Sequence, residues 1–181
     1  MTEMCISAAN HIVNQVNKNN QSGIWNVTLS SKRLQKLLYF SDVLYMTENK
    51  GKSMYTDEYH AWPSGPVIPS VYNIFMRYQD GKMYPYNYGI HAPLDSKMKT
   101  TLDRVLEATK DLSTDKLIDE SHKKYGPWYQ VNSKRGESEN DVISKDLIYK
   151  YYIKCGAPYG ASLSPLKKFL AGIDKWIVKK A

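Results

Sequence analysis

Residues 34–40 read Leu-Gln-Lys-Leu-Leu-Tyr-Phe, and residues 62–72 read Trp-Pro-Ser-Gly-Pro-Val-Ile-Pro-Ser-Val-Tyr. The leucines of the first stretch recur at spacings of three and four, which predicts one apolar face of an amphipathic helix. In the second stretch, Gly65 and Pro66 predict a rigid turn, and Pro69 suits the first position of another helix. Neither stretch contains a catalytic pattern, so both indicate a scaffold.

Outside these stretches, most of the chain has helical periodicity. Helix 3–17 has an apolar stripe at helical spacing. Capping residues then predict where the others start: Ser30 or Ser31, Asp95, Ser113 or Thr114, and Ser144. Another helix is expected after Pro165, with an apolar side and a lysine-rich side. The predicted fold class is mainly α (α+β): one compact helical domain with a small β-hairpin or edge element and an appended C-terminal helix.

Four other segments have extended or turn character. Alternation predicts a short strand within residues 55–62 and an extended lead-in at residues 25–29. Residues 82–88 are expected to pair with that strand, at an edge because Pro85 lacks an N–H. Residues 125–129 predict a turn.

Composition and charge narrow the classes of protein. No run of about 18 apolar residues occurs, so no membrane segment is expected. The two cysteines, Cys5 and Cys155, form no C-x-x-C pair, and a cytoplasmic protein with reduced thiols is expected. Residues 123–181 hold 12 Lys and Arg against 5 Asp and Glu, which accounts for the net charge of +7. This excess indicates either an anionic partner such as nucleic acid or a solvated lysine-rich surface.

The basic C-terminal helix has three interpretations. Docking of its apolar side on the core of its own chain is the favoured one, and pairing with a partner or lying on an anionic surface are the others. The candidate contacts to an anionic partner are Lys167, Lys168, Lys175 and Lys179.

Few residues suggest chemistry. The chain lacks phosphate-loop, dinucleotide-binding, zinc-protease and nucleophile-elbow motifs. Glu58 and His60 could share a strand face, but an exposed polar pair is the favoured interpretation. His122 beside two lysines is interpreted as a helix end. We therefore expect no catalytic site, no metal and no cofactor.

The 62–67 turn has a structural and a functional interpretation. Its Gly and Pro residues build a corner that either pins the fold or presents a recognition surface, and the structural interpretation is favoured. Under the functional interpretation, the candidate partner-binding residues are Trp62, Ser64, Gly65, Val67, Tyr72 and Trp128.

The order of these landmarks resembles the Panacea domain of SocA-like antitoxins. The matching features are residues 34–40 in a helix, the Glu-Tyr-His-Ala-Trp strand ending at Trp62, the following Gly-Pro-Val, the Pro127–Trp128 pair, and residues 143–152. The resemblance covers residues 30–153, which leaves residues 1–29 as an N-terminal helix and lead-in, and residues 154–181 as a hinge and basic helix. Pro63 and Ser64 depart from the family's usual spacer.

The resemblance implies a non-enzymatic protein that binds and neutralises a toxin, and relatives occur as phage-associated proteins. The expected function is therefore an antitoxin that forms a direct complex with a protein toxin. The alternative is a phage-encoded, anti-CRISPR-like inhibitor of a host defence complex that uses the basic C-terminal region. A weaker third hypothesis is an enzyme centred on Glu58 and His60. The resemblance names neither the toxin nor the oligomeric state.

Overall fold

The structure is a computed structural model that describes residues 3–76, 82–89, 91–134 and 141–154. Its elements, in order, are α1 Glu3–Gln21, α2 Ser31–Glu48, β1 Tyr59–Trp62, β2 Gly65–Val67, α3 Pro69–Phe75, α4 Ser96–Thr109, α5 Thr114–Ser121, α6 Pro127–Asn132, β3 Val142–Ile143, α7 Lys145–Tyr149 and a π-helical turn Lys150–Lys154. The strands form one antiparallel sheet in the order β2-β1-β3. The predicted mainly helical fold class is confirmed. Within the described ranges, no helix is long and apolar enough to cross a membrane.

Helix α2 is the central element of the fold. Every residue from Arg33 to Met46 is buried, because α1, α3, α4, α5, α7 and β2 all pack around this helix. The prediction of one buried stripe on α2 was therefore wrong: the periodicity of its leucines locates only one of several buried faces. The other faces bury polar side chains, which makes their bonding partners decisive for the fold.

Those polar side chains of α2 bond to other segments of the chain. Arg33 donates to the carbonyls of Thr109 and Leu112, at the C-terminal end of α4, at 2.7 and 2.6 Å. Asp42 accepts from the backbone N–H of Met54 at 2.6 Å and from the Nζ of Lys145 at 2.7 Å. Through these bonds α2 links segments distant in sequence.

The predicted helix starts agree with the structure. The Ser30 hydroxyl accepts from the N–H of Arg33 at 3.1 Å, and Asp95, Ser113 and Ser144 cap α4, α5 and α7 in the same way. These caps were predictable because each depends on contacts within one helical turn.

The prediction for Gly65 and Pro66 needs correction. They lie in strand β2, and the turn consists of Pro63 and Ser64. Strands β1 and β2 pair with Trp62 opposite Gly65, which has a φ of 97°. We call residues 59–67 the Trp62 hairpin. A positive φ at Gly65 lets the chain reverse direction after only two turn residues.

The prediction that residues 82–88 pair with β1 was wrong, because β3 occupies that place. The side chain of Asn10 on α1 bonds this segment instead: its amide donates to the Tyr86 carbonyl at 2.8 Å and accepts from the Tyr86 N–H at 2.7 Å. Asn20 pairs with Val27 in the same two-bond manner, at 2.8 and 3.0 Å. Both extended segments therefore satisfy backbone groups through asparagine side chains rather than through a sheet.

Two further expectations concern helices. Residues 125–129, predicted as a turn, contain the start of α6, in which Pro127 takes the first helical position after the N-cap Gly126. The predicted hinge beyond Lys154 and the predicted C-terminal helix lie outside the described residues.

Candidate partner-binding site

Two neighbouring residues of α2 bind the outer edge of the Trp62 hairpin. The Nζ of Lys36 donates to the Pro66 carbonyl at 2.7 Å, and the Oε1 of Gln35 accepts from the Ile68 N–H at 2.8 Å. A neighbouring strand would pair with the same two backbone groups. The edge of β2 is therefore closed to strand addition by the side chains of a helix.

The other strand of the hairpin is bound by α6. The indole Nε1–H of Trp128 donates to the Trp62 carbonyl at 2.8 Å. The ring of His122, the C-cap of α5, stacks on the Trp128 indole with 3.6 Å between centroids and 14° between planes. Because α2 and α6 bond both strands, the hairpin is a preorganised part of the surface.

Lys36 is fully buried behind the hairpin, where a charged ammonium is costly. It forms no ion pair with any residue that the structure describes. Burial lowers the pKa of Lys36 to about 7. Burial, and then the charge of Lys36, also lower the pKa of His122.

Gly65 leaves the space that the Lys36 side chain needs. A Cβ at this position would lie 2.5 Å from the Ser121 hydroxyl oxygen and 2.9 Å from the Lys36 Nζ. The hairpin therefore requires glycine for two reasons, its backbone conformation and this close approach.

The outward side of the hairpin carries an aromatic pair. The rings of Trp62 and Tyr72 meet edge to face, with centroids 5.1 Å apart, and both side chains are half-buried. Ser64 is also half-buried, whereas Gly65 and Val67 are buried. The structure thus brings together Trp62, Tyr72 and Trp128, which is 9% exposed. Gly65 and Val67 are buried and therefore inaccessible to a partner.

Glu58 and His60 do not share a face of one strand, because β1 begins at Tyr59. Glu58 precedes β1 and is exposed, and the Nδ1 of His60 lies 2.8 Å from the Oδ1 of Asp141. Across the described ranges, no group of three or more His, Cys, Asp or Glu residues could hold a metal ion.

Sequence reasoning missed the residues that position this site: Gln35, Lys36, Asp42 and Ser121. For Gln35, Lys36 and Asp42 the available signal was the presence of polar residues among the apolar residues of α2. Ser121 lies on α5. The candidate contacts Lys167, Lys168, Lys175 and Lys179 lie outside the described residues.

Comparisons with known proteins identify the family of this chain. The family described as antitoxin SocA-like, Panacea domain, matches residues 34–129, a region that runs from α2 into α6 and contains the contacts of the hairpin with α2 and α6. Antitoxin SocA of Caulobacter vibrioides strain NA1000 / CB15N is 31% identical over 152 residues, which cover 74% of this chain and 79% of that protein. No solved structure matches the chain significantly. The chain therefore belongs to the SocA-like antitoxin family, which is defined by the Panacea domain.

Proposed function

We propose that this protein is an antitoxin that neutralises a protein toxin by binding it directly, without catalysing a reaction. The relative in Caulobacter vibrioides bears the name antitoxin, and its similarity extends over most of both chains. A toxin partner is the simplest requirement of an antitoxin role.

The observation that supports the proposal most is the rigid presentation of Trp62 beside Tyr72. Binding loses less conformational entropy when the contact surface is already ordered, and Trp and Tyr are frequent energetic centres of protein interfaces. We assign the toxin contacts to Trp62, Ser64 and Tyr72, which are half-buried. Gly65, Val67 and Trp128 are buried and hold these residues in position.

The test is a co-expression experiment with each open reading frame that flanks the gene for this chain. We expect one of these frames to stop growth when expressed alone, and co-expression with this chain to restore growth and to give a stable complex on size-exclusion chromatography. Restored growth without a complex of the two purified proteins would contradict direct binding.

A further inference from the structure

A cavity of about 500 Å³ lies between the lead-in to α2 and the turn that joins α4 to α5. Residues 24–28 line one side, residues 110–114 line the other, and Arg33 of α2 also lines the cavity. Cavities of about 300–1,000 Å³ are typical of sites for small ligands. No residue of the Trp62 hairpin lines this cavity, so a ligand bound here would not occupy the candidate toxin surface.

Arg33 brings to this cavity a buried positive charge that no carboxylate balances. It is 4% exposed and forms no ion pair with any residue that the structure describes. Two of its N–H groups donate to the carbonyls of Thr109 and Leu112, whose partial charges at the end of α4 offset only part of a full charge. A guanidinium has further N–H donors, and one of them, the Nε–H, has no partner within the described ranges. A buried, protonated guanidinium with spare donors is favourably completed by an anion.

The neighbouring polar groups also suit an anion. Ser113 is the N-cap of α5, an eight-residue helix, and the first N–H groups of a helix attract negative charge. Ser113 and Thr114 line the cavity from this end, and the hydroxyl-bearing Thr28 lines the opposite side. The helix start and the guanidinium therefore serve the same cavity.

The charges around the cavity indicate a ligand group with one negative charge. Lys110 lines the cavity, but it already forms an ion pair with Glu107. Asp111 also lines the cavity and is exposed, so it would repel a second negative charge on a ligand. A carboxylate therefore fits better than a phosphate dianion, and it can accept two parallel N–H bonds from the fork of an arginine.

An apolar surface adjoins these polar groups. Ile24 is 68% exposed, Trp25 is half-buried, and both line the cavity. The Nζ of Lys110 lies 6.0 Å from the centroid of the Trp25 ring, so the indole reaches the side of the cavity that carries the lysine. Covering exposed apolar surface stabilises a complex, which favours a ligand with an apolar body.

We propose that this cavity binds an organic acid with an apolar body. Its carboxylate accepts from the guanidinium of Arg33 and from the N-terminal end of α5, with Lys110 at the rim, and its apolar body packs against Ile24 and Trp25. The site is separate from the Trp62 hairpin and does not depend on the proposed function. A free small acid and the C-terminal residue of a polypeptide both supply this chemistry.

The first test is an NMR titration of the full chain with N-acetyl-leucine. We expect saturable shifts of the Trp25 indole N–H signal, which Trp25→Phe identifies, and no shifts with N-acetyl-leucinamide, which keeps the shape and lacks the charge. No saturable shift, or equal affinity for the amide or for inorganic phosphate, would overturn the proposal. Tighter binding of N-acetyl-alanyl-alanyl-leucine supports a polypeptide C-terminus as the ligand, and equal or weaker binding supports a free small acid.

The second test compares the affinities of variants for N-acetyl-leucine. Arg33→Met should weaken binding about 10-fold or more, as expected for loss of a charge-assisted hydrogen bond. Because Arg33 also bonds the end of α4, the half-buried Lys110 provides a second variant: Lys110→Gln should weaken binding about 2–5-fold, as for a partly exposed charge. Lys99→Gln, an exposed lysine of α4 outside the cavity, is the matched control and should leave the affinity unchanged. Thermal unfolding shows which variants are folded, and wild-type affinity of folded Arg33→Met or of Lys110→Gln would overturn the proposal.

Discussion

The Nζ of Lys36 lies 2.7 Å from the carbonyl oxygen of Pro66, in a site where the lysine side chain is fully buried. This bond links the central helix directly to the hairpin that carries Trp62. Lys36 therefore contributes both to the packing of the central helix and to the position of the candidate recognition surface. Substitution of Lys36 should affect both the stability of the protein and its binding to a partner.

The stability of the protein should increase as the pH rises from 7 to 9, because of Lys36. Its pKa is lowered by burial to about 7 in the folded chain, from an ordinary value of 10.5. Between these values the unfolded chain binds the proton and the folded chain does not, so raising the pH favours folding, by at most about 1.4 kcal/mol per pH unit. Below pH 7 both states are protonated, and this contribution stays constant.

Urea unfolding at pH 7, 8 and 9 checks this expectation, with Lys36→Met as the control. The variant should lose the pH-dependent gain relative to wild type, since the other titrating groups are common to both proteins. Parallel stability–pH curves would show that Lys36 keeps an ordinary pKa in the folded protein.

Gly65→Ala should destabilise the protein more than Gly89→Ala does. Both glycines have a positive φ, 97° and 88°, so both substitutions introduce backbone strain. Of the two, only Gly65 would place the new Cβ in a collision, at 2.5 Å from the Ser121 oxygen, whereas no atom of the described residues lies within 4 Å of a Cβ at Gly89. We expect an additional loss of about 1–3 kcal/mol at Gly65, by analogy with overpacked cores. Thermal unfolding of the two variants measures the difference, and equal losses would contradict the close approach of Lys36 and Ser121.

Trp128→Phe should loosen the Trp62 hairpin while keeping an aromatic ring against His122. The substitution removes the indole N–H and with it the bond from α6 to the Trp62 carbonyl. The expected cost is about 0.5–1.5 kcal/mol, the net contribution of one hydrogen bond. Hydrogen exchange followed by mass spectrometry should show faster exchange in peptides that cover residues 59–68. Trp25→Phe, outside the hairpin, is the matched control, and equal exchange in the two variants would refute the role of this bond.

Arg33→Met should cost far more stability than Arg104→Met. Arg33 is buried. Its loss removes the side-chain donor of the Leu112 carbonyl and one of two donors to the Thr109 carbonyl, which also accepts from the Leu112 N–H, at about 1–3 kcal/mol in total. Arg104 forms an ion pair with Glu48 while half of its side chain remains exposed. Pairs of that kind contribute about 0–1 kcal/mol. Chemical unfolding measures both losses, and similar values for the two variants would rule out a structural role for Arg33.

The parts of the fold that sequence patterns predicted are the local ones. The stripe of α1 and the caps Ser30, Asp95, Ser113 and Ser144 depend on residues within a few positions of one another. The start of α3 was also predictable from local sequence, because the ring of Pro69 fixes its own φ near the helical value.

The parts that sequence patterns missed depend on distant contacts. Lys36 has the character of a solvent-facing helical residue, and only its position beneath β2 makes it buried. Residues 82–88 have the composition of a strand, but Asn10 on α1 supplies the bonds that a sheet would have given. Trp62 and Trp128 were both candidates, and the hydrogen bond that joins them spans 66 positions of the chain.

The most direct test of the account is the affinity of the purified antitoxin for its toxin after Trp62→Ala, measured by isothermal titration calorimetry. Tyr84→Ala is the matched control, because Tyr84 is 56% exposed and lies outside the hairpin. The account predicts that Trp62→Ala weakens the complex about 30-fold or more, as for a residue at the centre of an interface, and that Tyr84→Ala has no effect. Wild-type affinity of a folded Trp62→Ala variant would contradict the central claim that the toxin binds at the Trp62 hairpin.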